Sequence, residues 1–239
     1  MDALNKPKAG GRDVAYTLAK VGLSAIPIFG GPATEILSAV ITPPLARRRD
    51  AWLESIARCL KELEEKFDGF TIESLAQNEE FITTFIQASQ IAIRNHKEEK
   101  LEALRNAVLN SALPTAPEED LQTMFLSLID VMTPRHLKIL EVIKNPQKWF
   151  WDNHVNPNIY VSGNVQYFAD PQIFDSYINE ILPDYESKYE IYHLLAQDLA
   201  NKGLIKINPF EQKPIGTGIL NCLTNMGATF IKFIISPLK

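Results

Sequence analysis

The chain has 239 residues, with 24 Lys or Arg against 29 Asp or Glu, so it is mildly acidic at neutral pH. Its length can bury a substantial core, and 46% hydrophobic with 22% charged residues is the composition of an ordinary globular protein. The charge balance does not favour nucleic-acid binding, and two distant cysteines, Cys59 and Cys222, support neither a disulfide framework nor a zinc site. We therefore expect a cytoplasmic protein.

The longest nearly uncharged run of the chain lies near its N-terminus, over residues 21–41, and contains only Glu35. About 20 apolar residues are needed for a helix that crosses a bilayer, but Pro27 and the Gly-Gly-Pro sequence at 30–32 interrupt this run. Glycine permits the positive φ of a tight turn, and proline is favoured at the start of a helix. The sequence therefore predicts an apolar helical hairpin over residues 14–42. Its two arms fall near residues 14–26 and 33–41.

Basic residues flank the predicted hairpin on both sides, with Lys20 before the turn and Arg47, Arg48 and Arg49 after the second arm. Each Lys or Arg near an anionic membrane surface contributes about 1 kcal/mol of attraction, so these four residues are candidates for contact with such a surface. The hairpin has two interpretations, a buried part of the core or a segment that enters a membrane. The candidate membrane-contacting residues are Leu18, Leu23, Ile26, Ile28, Phe29, Ile36, Leu37 and Ile41.

The predicted fold class is mainly α, with an N-terminal helical region that includes the hairpin. Apolar residues at intervals of three and four predict a helix over 45–67, and further helices end near His96 and Ala112. A short helix near 71–77 precedes Asn78, which has the side chain of an N-cap. The Pro-Thr-Ala-Pro sequence at 114–117 predicts a linker. We therefore predict two domains, residues 1–113 and residues 118–239.

The second predicted domain begins with a helix at Glu118. Further helices are predicted from Pro134 through at least Ile143, over 171–182 and over 185–202, and a last one follows Thr224 as its N-cap. Thr133 caps the first of these, with Pro134 at its first position, and Gly203 ends the third. Residues 204–207 are predicted to pair antiparallel with 219–223. The aromatic-rich segment 149–168 predicts an ordered loop or short hairpin. Its residues Trp149, Phe150 and Trp151 are either core or a partner-binding surface.

The order helix, loop, helix, helix, strand, turn, strand, helix resembles that of winged-helix modules. Three stretches carry this resemblance, Thr133–Leu140, Asp198–Ile205 and Leu223–Ile231. They are similar to the patterns "LTP..L.iL", "L...GLI" and "LT..G..F" of many such modules. The resemblance implies a winged-helix-like C-terminal domain, which combines helices with a small β component, but it implies no particular function.

The same order of elements, preceded by an apolar segment interrupted by Gly and Pro and by a long helix, resembles the abortive-infection alpha (Abi-alpha) type of bacterial phage-defence protein. That resemblance implies a cytosolic bacterial protein that stops the growth of an infected cell, with a toxin-like action at the inner membrane. It carries no catalytic residues over to this chain.

The predicted helix 185–202 occupies the position of a DNA-recognition helix but has one more acidic than basic residue. A helix in the major groove should neutralise phosphates, so the sequence favours a protein-interaction or sensing module over a DNA-binding regulator. The chain contains no P-loop, GxGxxG, GxSxG or HExxH motif, and its four histidines are scattered. The nearest approach to a hydrolytic site would pair His193 with Asp198 or Cys222.

We therefore expect no enzymatic activity, catalytic residue, metal, cofactor or small-molecule substrate. The partners that the sequence indicates are a membrane or a protein, including a further copy of the chain. The function predicted is that of a defence or toxin-type effector whose hairpin acts at a membrane. The alternatives are a soluble intracellular protein-binding module and a winged-helix DNA-binding regulator.

Overall fold

The computed structural model describes residues 32–155, 159–162, 165–168, 171–206, 208–210, 212–213, 216–220 and 222–238. The fold is mainly α, as predicted. The chain forms two compact units, and the first contains the residues up to Asp130 together with those from Phe233 onward. The second unit consists of Val131–Lys232.

The helices in chain order are α1 (Pro32–Lys66), α2 (Glu79–Arg94), α3 (Glu98–Ser111), α4 (Glu119–Val131), α5 (Pro134–Lys144), α6 (Pro146–Asp152), α7 (Pro171–Ile181), α8 (Tyr189–Asn201) and α9 (Asn225–Ile234). Short 3-10 helices cover Ile72–Gln77 and Glu186–Lys188. The strands are β1 (Ile159–Ser162), β2 (Val165–Phe168), β3 (Gln212–Lys213) and β4 (Gly216–Leu220).

Helix α1 corrects two of the sequence predictions, because it runs without a break through Pro43 and Pro44. The predicted second arm of the hairpin and the predicted helix 45–67 are parts of this single helix. A proline removes one hydrogen bond and crowds the preceding turn, but its φ near −65° is already helical, so a helix can continue through it. The first arm and the Gly-Gly part of the turn lie outside the described residues. Pro32 begins α1, in agreement with proline as a helix-starting residue.

The first unit is built from α1 to α4, and the predicted caps of its helices are present. The Asn78 side chain accepts a hydrogen bond from the backbone of Phe81 at 3.0 Å, as an N-cap does. The core is mainly apolar, and its buried polar groups are paired. The indole of Trp52 donates to Ser89 at 2.9 Å, and the hydroxyl of Thr84 donates to Gln122 at 2.8 Å.

The division into units differs from the predicted boundary at residues 114–117, because α4 belongs with the first unit. The α4 residue Gln122 bonds to Thr84 of α2, and the Phe125 ring lies 5.7 Å from that of Phe233. The ammonium group of Lys100 also donates to the backbone carbonyl of Asp130 at 2.8 Å. The proline-containing segment is a turn within the first unit.

The C-terminal end of α9 is held by two asparagines that lie one turn apart on α3. Asn106 donates to the carbonyl of Ile234 at 2.9 Å, and Asn110 donates to those of Phe233 and Ile235 at 2.9 and 2.8 Å. The last carbonyls of a helix have no partner within the helix, so these side chains supply the missing hydrogen bonds.

The second unit combines helices α5 to α8 and α9 up to Lys232 with a four-stranded antiparallel sheet of order β1-β2-β4-β3. Of the two structures predicted for 149–168, an ordered loop or a short hairpin, the β1-β2 pair shows a hairpin, and residues 149–152 belong to α6. The predicted pairing of 204–207 with 219–223 is confirmed at one bridge, Ile205 with Leu223. Ile219 and Leu220 of the second segment lie instead in β4, which pairs with β2 and β3. The predicted helix 185–202 is divided into a 3-10 turn and α8.

A close contact joins the end of α8 to the start of α9. Gly203 has φ +72°, the left-handed conformation that confirms it as the C-terminal glycine of α8. Thr224 caps α9 by accepting from the backbone of Gly227 at 2.8 Å, and its hydroxyl donates to the Gly203 carbonyl at 2.6 Å. A Cβ on Gly227 would lie 1.9 Å from the carbonyl oxygen of Leu204, so only glycine fits there.

Candidate functional site

The first candidate site is the part of α1 that precedes the core of the first unit, residues 41–51, which we call the projecting stretch. Ile41–Pro43 and Arg47–Ala51 are exposed, and the three residues between them are half-buried. None of these eleven residues is buried, whereas Trp52, the next residue, is only 5% exposed. The core therefore begins at Trp52, and the helix extends from it by at least three turns.

Helix α1 is fixed firmly to the first unit below this stretch. Its buried residues, at intervals of four and three, are Trp52, Ile56, Leu60 and Leu63. The hydrogen bond from Trp52 to Ser89 joins α1 to α2, and the Glu64 carboxylate accepts from the backbone of Ile72 at 3.0 Å. A helix held in this way positions its projecting stretch rigidly.

The sequence-predicted membrane residues fall into three groups. Those up to Phe29, and Lys20, lie outside the described residues; they are Leu18, Leu23, Ile26, Ile28 and Phe29. Ile36 and Leu37 lie in the helical backbone of α1. Ile41 is described in full and is 43% exposed.

The predicted cationic residues Arg47, Arg48 and Arg49 are exposed and lie within α1, although the sequence placed them at the start of a helix. The guanidinium group of Arg49 lies 2.9 Å from the carboxylate of Asp50. Both side chains are well exposed, so this ion pair contributes little to stability. The three arginines are accessible to an anionic partner.

The second candidate site is α8, which two adjacent residues of α5 hold in the second unit. The first, Arg135, donates to the Asp184 carboxylate at 2.8 Å, and the Tyr192 hydroxyl donates to the same carboxylate at 2.6 Å. The Arg135 guanidinium also lies 5.9 Å from the centre of the Tyr192 ring. These hydrogen bonds, from Tyr192 and then Arg135, lower the pKa of Asp184.

The second residue, His136, is 4% exposed and connects the start of α5 to the last turn of α8. Its Nδ1 accepts from the backbone N–H of Thr133 at 3.0 Å, so in the neutral ring the proton lies on Nε2. Nε2 is 3.1 Å from the carboxylate of Asp198, which also pairs with Lys202 at 2.7 Å. Burial lowers the pKa of His136, and Asp198 partly offsets this effect. The ring is therefore neutral near pH 7.

The opposite side of α8 is exposed and carries apolar residues, and we call it the α8 face. Leu194 is 70% exposed and Ile191 is 42% exposed, while Tyr192, Ala196 and Leu199 are buried on the other side. The remaining exposed residues of this face are Glu190, Gln197 and Asn201. Helix α8 contains no Lys or Arg, so it has no cation for a phosphate backbone.

The aromatic triplet of α6 is split between core and surface. Phe150 is 5% exposed and belongs to the core, which removes it from the predicted partner-binding residues. Trp149 is half-buried, donates to the Glu180 carboxylate at 2.6 Å and lies 5.2 Å from the Tyr177 ring. Trp151 is 84% exposed. Only Trp151 is free of the core, because successive residues of a helix point about 100° apart.

The structure gives other neighbours to the residues named above as the nearest approach to a hydrolytic site. Asp198 lies beside His136, whereas the ring of His193 packs against that of Tyr189 with centroids 4.2 Å apart and the planes tilted by 40°. Cys222 is fully buried, and burial raises the pKa of its thiol to about 12. The sequence contained a signal only for the contact of His136 with Thr133, since a side chain three residues after a cap can bond back to it. The sequence identifies Leu194 only as an apolar residue of the predicted helix 185–202 and gives no signal of its exposure, and Tyr189 of the same helix is 44% exposed.

The described residues contain neither a metal-binding cluster nor a membrane-spanning helix. No three His, Cys, Asp or Glu side chains in that part of the chain are placed to bind a metal ion together. No helix in the same part has both the length and the apolar content to cross a membrane.

Comparisons of the chain with protein-family models, with curated proteins and with solved structures give no match.

Proposed function

We propose that this protein is a non-enzymatic effector of bacterial antiviral defence, of the abortive-infection type, whose apolar N-terminal region acts at the inner membrane. The observation that supports this proposal is the projecting stretch, because α1 leaves the core at Trp52 and continues with an apolar sequence. A helical hairpin in the core would instead have buried residues along this part of α1. The resting protein is cytoplasmic and moves to the membrane on activation.

The energetics explain why this region does not act as a permanent anchor. On insertion scales, moving a large apolar residue of the first half of α1 into a bilayer contributes about −0.5 kcal/mol. Moving a carboxylate such as that of Glu35 to the same depth costs about 3 kcal/mol. Five large apolar residues, Ile36, Leu37, Val40, Ile41 and Leu45, therefore only balance one Glu. Attraction of about 1 kcal/mol for each arginine at an anionic surface shifts the balance toward binding.

In the same proposal the second unit is a winged-helix-like module that binds a protein, and this binding senses the infection or carries the signal. The α8 face supports a protein partner, because Leu194 and Ile191 are exposed at the position of a recognition helix. A DNA-binding helix would present cations there, and α8 has none. The exposed Trp151 is a further candidate contact, since Trp is enriched where proteins bind one another.

The test of the membrane role compares the full chain with a variant that lacks residues 1–42. One measurement is the fractionation of cells after phage infection, and the other is flotation of the protein with vesicles. We expect the full chain to move with the membrane fraction and the truncated chain to remain in the cytosol. In the full chain, Leu37→Asp should weaken flotation and reduce toxicity together, because a charge at bilayer depth is costly.

Met124→Asp is the matched control for Leu37→Asp, because it places the same charge at an exposed apolar residue of α4. This variant should float as the native protein does, and circular dichroism should show both variants folded. A full chain that never leaves the cytosol, with Leu37→Asp unfolded, would mean that the N-terminal region is core, and the proposal would be wrong.

The test of the second unit measures duplex DNA binding by the full chain at low salt. We expect weak binding at most. Submicromolar affinity that falls steeply as salt rises would favour the DNA-binding regulator, since release of counterions from phosphates has this signature.

A further inference from the structure

The three arginines of the projecting stretch are spread around more than half of the helix circumference and do not lie on one side of it. Successive residues of an α-helix point about 100° apart, so Arg47, Arg48 and Arg49 together cover about 200° of its circumference. The five residues Arg47–Ala51 are all exposed, and they turn through more than a full circle. At this level α1 therefore has no side that rests on the first unit, and we call the three residues the arginine collar.

This arrangement distinguishes two ways in which a helix can meet a membrane. A helix that lies flat in the interface has its cations on one face and its apolar residues on the other. Helix α1 instead separates them along its length. The fifteen residues Pro32–Ala46 contain one charged residue, Glu35, and the cations follow as a single group.

We infer that α1 enters the membrane end-on, with the arginine collar among the phosphates of anionic lipids. At about 1.5 Å per residue, Pro32–Ala46 extends about 22 Å beyond the collar, which is shorter than the hydrocarbon core of about 30 Å. The described part of α1 therefore reaches into the bilayer but is too short to cross it by itself. One guanidinium group can donate two parallel hydrogen bonds to the oxygens of a phosphate. The positive charge of the collar therefore favours anionic headgroups over zwitterionic ones. This inference rests on the proposed function and adds the orientation of α1 and the lipid class.

Asp50 lies beside the collar and opposes its attraction to anionic lipid. Its carboxylate is 2.9 Å from the Arg49 guanidinium and is repelled by a negative surface. Removal of this charge should therefore strengthen binding, whereas removal of arginine charges should weaken it. Opposite effects of two neighbouring substitutions are not expected from a change in folding alone.

The first experiment measures the depth of single nitroxide labels on the full chain, bound to vesicles of equal parts phosphatidylcholine and phosphatidylglycerol. Labels are placed on cysteines substituted for Ile36, Ala39, Thr42 and Ala46 in a Cys59→Ser, Cys222→Ala background whose fold is checked by circular dichroism. We expect the depth to increase steadily from residue 46 to residue 36, by about 15 Å in total. These four positions lie within about 120° of the helix circumference, so a helix that lies flat would show no steady increase in depth from 46 to 36, and that result would make the inference wrong.

The second experiment tests the collar by flotation of the full chain with the same vesicles and with phosphatidylcholine alone. Arg47→Gln with Arg48→Gln should reduce binding to the anionic vesicles at least tenfold, and Asp50→Asn should increase it severalfold. The matched control, Lys61→Gln with Lys97→Gln, removes the same charge from exposed sites outside the projecting stretch and should change binding less than twofold.

The outcomes separate the inference from the proposed function. Binding that is retained without a steady increase in depth from 46 to 36, or that is equal on both kinds of vesicle, overturns end-on entry at an anionic surface but leaves a membrane role intact. A full chain that binds neither kind of vesicle, and in cells remains cytosolic after activation, overturns both.

Discussion

Different kinds of contact stabilise the inside of each of the two units. In the first unit, α1 packs through buried apolar residues, and its hydrogen bond to α2, from Trp52 to Ser89, joins two neutral groups. In the second, α8 is positioned by ionisable groups, with Arg135 on Asp184 and His136 on Asp198. The difference indicates that acid should affect the packing of α8 far more than that of α1.

The largest expected effect comes from the apolar core of the first unit. Leu63 has no exposed surface, so Leu63→Ala should lower the free energy of unfolding by about 3 kcal/mol through the loss of buried methyl groups and the cavity left behind. Urea unfolding followed by circular dichroism would measure this. The loss should be the same at about pH 7 and about pH 5, and a strong dependence on pH would contradict the comparison.

A similar loss is expected where α9 meets the end of α8. Gly227→Ala should destabilise the second unit by about 3 kcal/mol, because the new Cβ would lie 1.9 Å from the Leu204 carbonyl oxygen and α9 would have to move. Gly203→Ala is the control, since a Cβ there meets nothing within 4 Å and only its φ of +72° is unfavourable. It should cost about 1 kcal/mol. Equal costs for the two variants would mean that the close approach is not important.

The third prediction concerns acid and His136. Its pKa is lower in the folded protein than its ordinary value of 6.5, so the unfolded chain takes up a proton first as the pH falls. The stability of the second unit should therefore be complete above about pH 6.5 and decrease below it. His136→Gln should remove this part of the pH dependence, because Gln does not titrate but can still accept from the backbone of Thr133.

Urea unfolding at about pH 7 and about pH 5, followed by the fluorescence of Trp149 and Trp151, measures this effect. We expect a larger acid-induced loss of stability in the native protein than in His136→Gln. Asp184 and Asp198 have lowered pKa values, so their contributions persist through this range and disappear only at a pH below about 4. An identical pH profile for both proteins would show that His136 is not the responsible group.

The smallest predicted effect is a gain in stability at the end of α6. His154 has φ +55°, a conformation that is unfavourable for residues other than glycine. Its backbone donates to the Trp151 carbonyl and that of Val155 to Phe150, the same pattern that ends α8 at Gly203. His154→Gly should therefore stabilise the second unit by about 0.5–1 kcal/mol, measured by urea unfolding. A loss of stability would indicate that the His154 side chain makes a contact worth more than the strain.

The sequence by itself determined the parts of the fold that depend on neighbouring residues. The caps Asn78, Thr133 and Thr224 and the terminating Gly203 were all predictable, because each acts on backbone groups within a few residues of itself. The mainly helical class followed from the spacing of apolar residues for the same reason. The local prediction that a helix ends before Pro43 and Pro44 was wrong, since proline disfavours a helix without forbidding it.

Contacts between distant segments were decided only by the tertiary structure. Nothing near His136 in the sequence indicates that it meets Asp198, and the need for glycine at 227 arises from the carbonyl of Leu204. The same is true of the exposure of Leu194 and of the projecting stretch, since a helix of given sequence does not reveal which of its residues another element will cover. Hydrogen bonds along the chain depend on local geometry, but burial depends on the whole packed unit, and both candidate sites were located from burial.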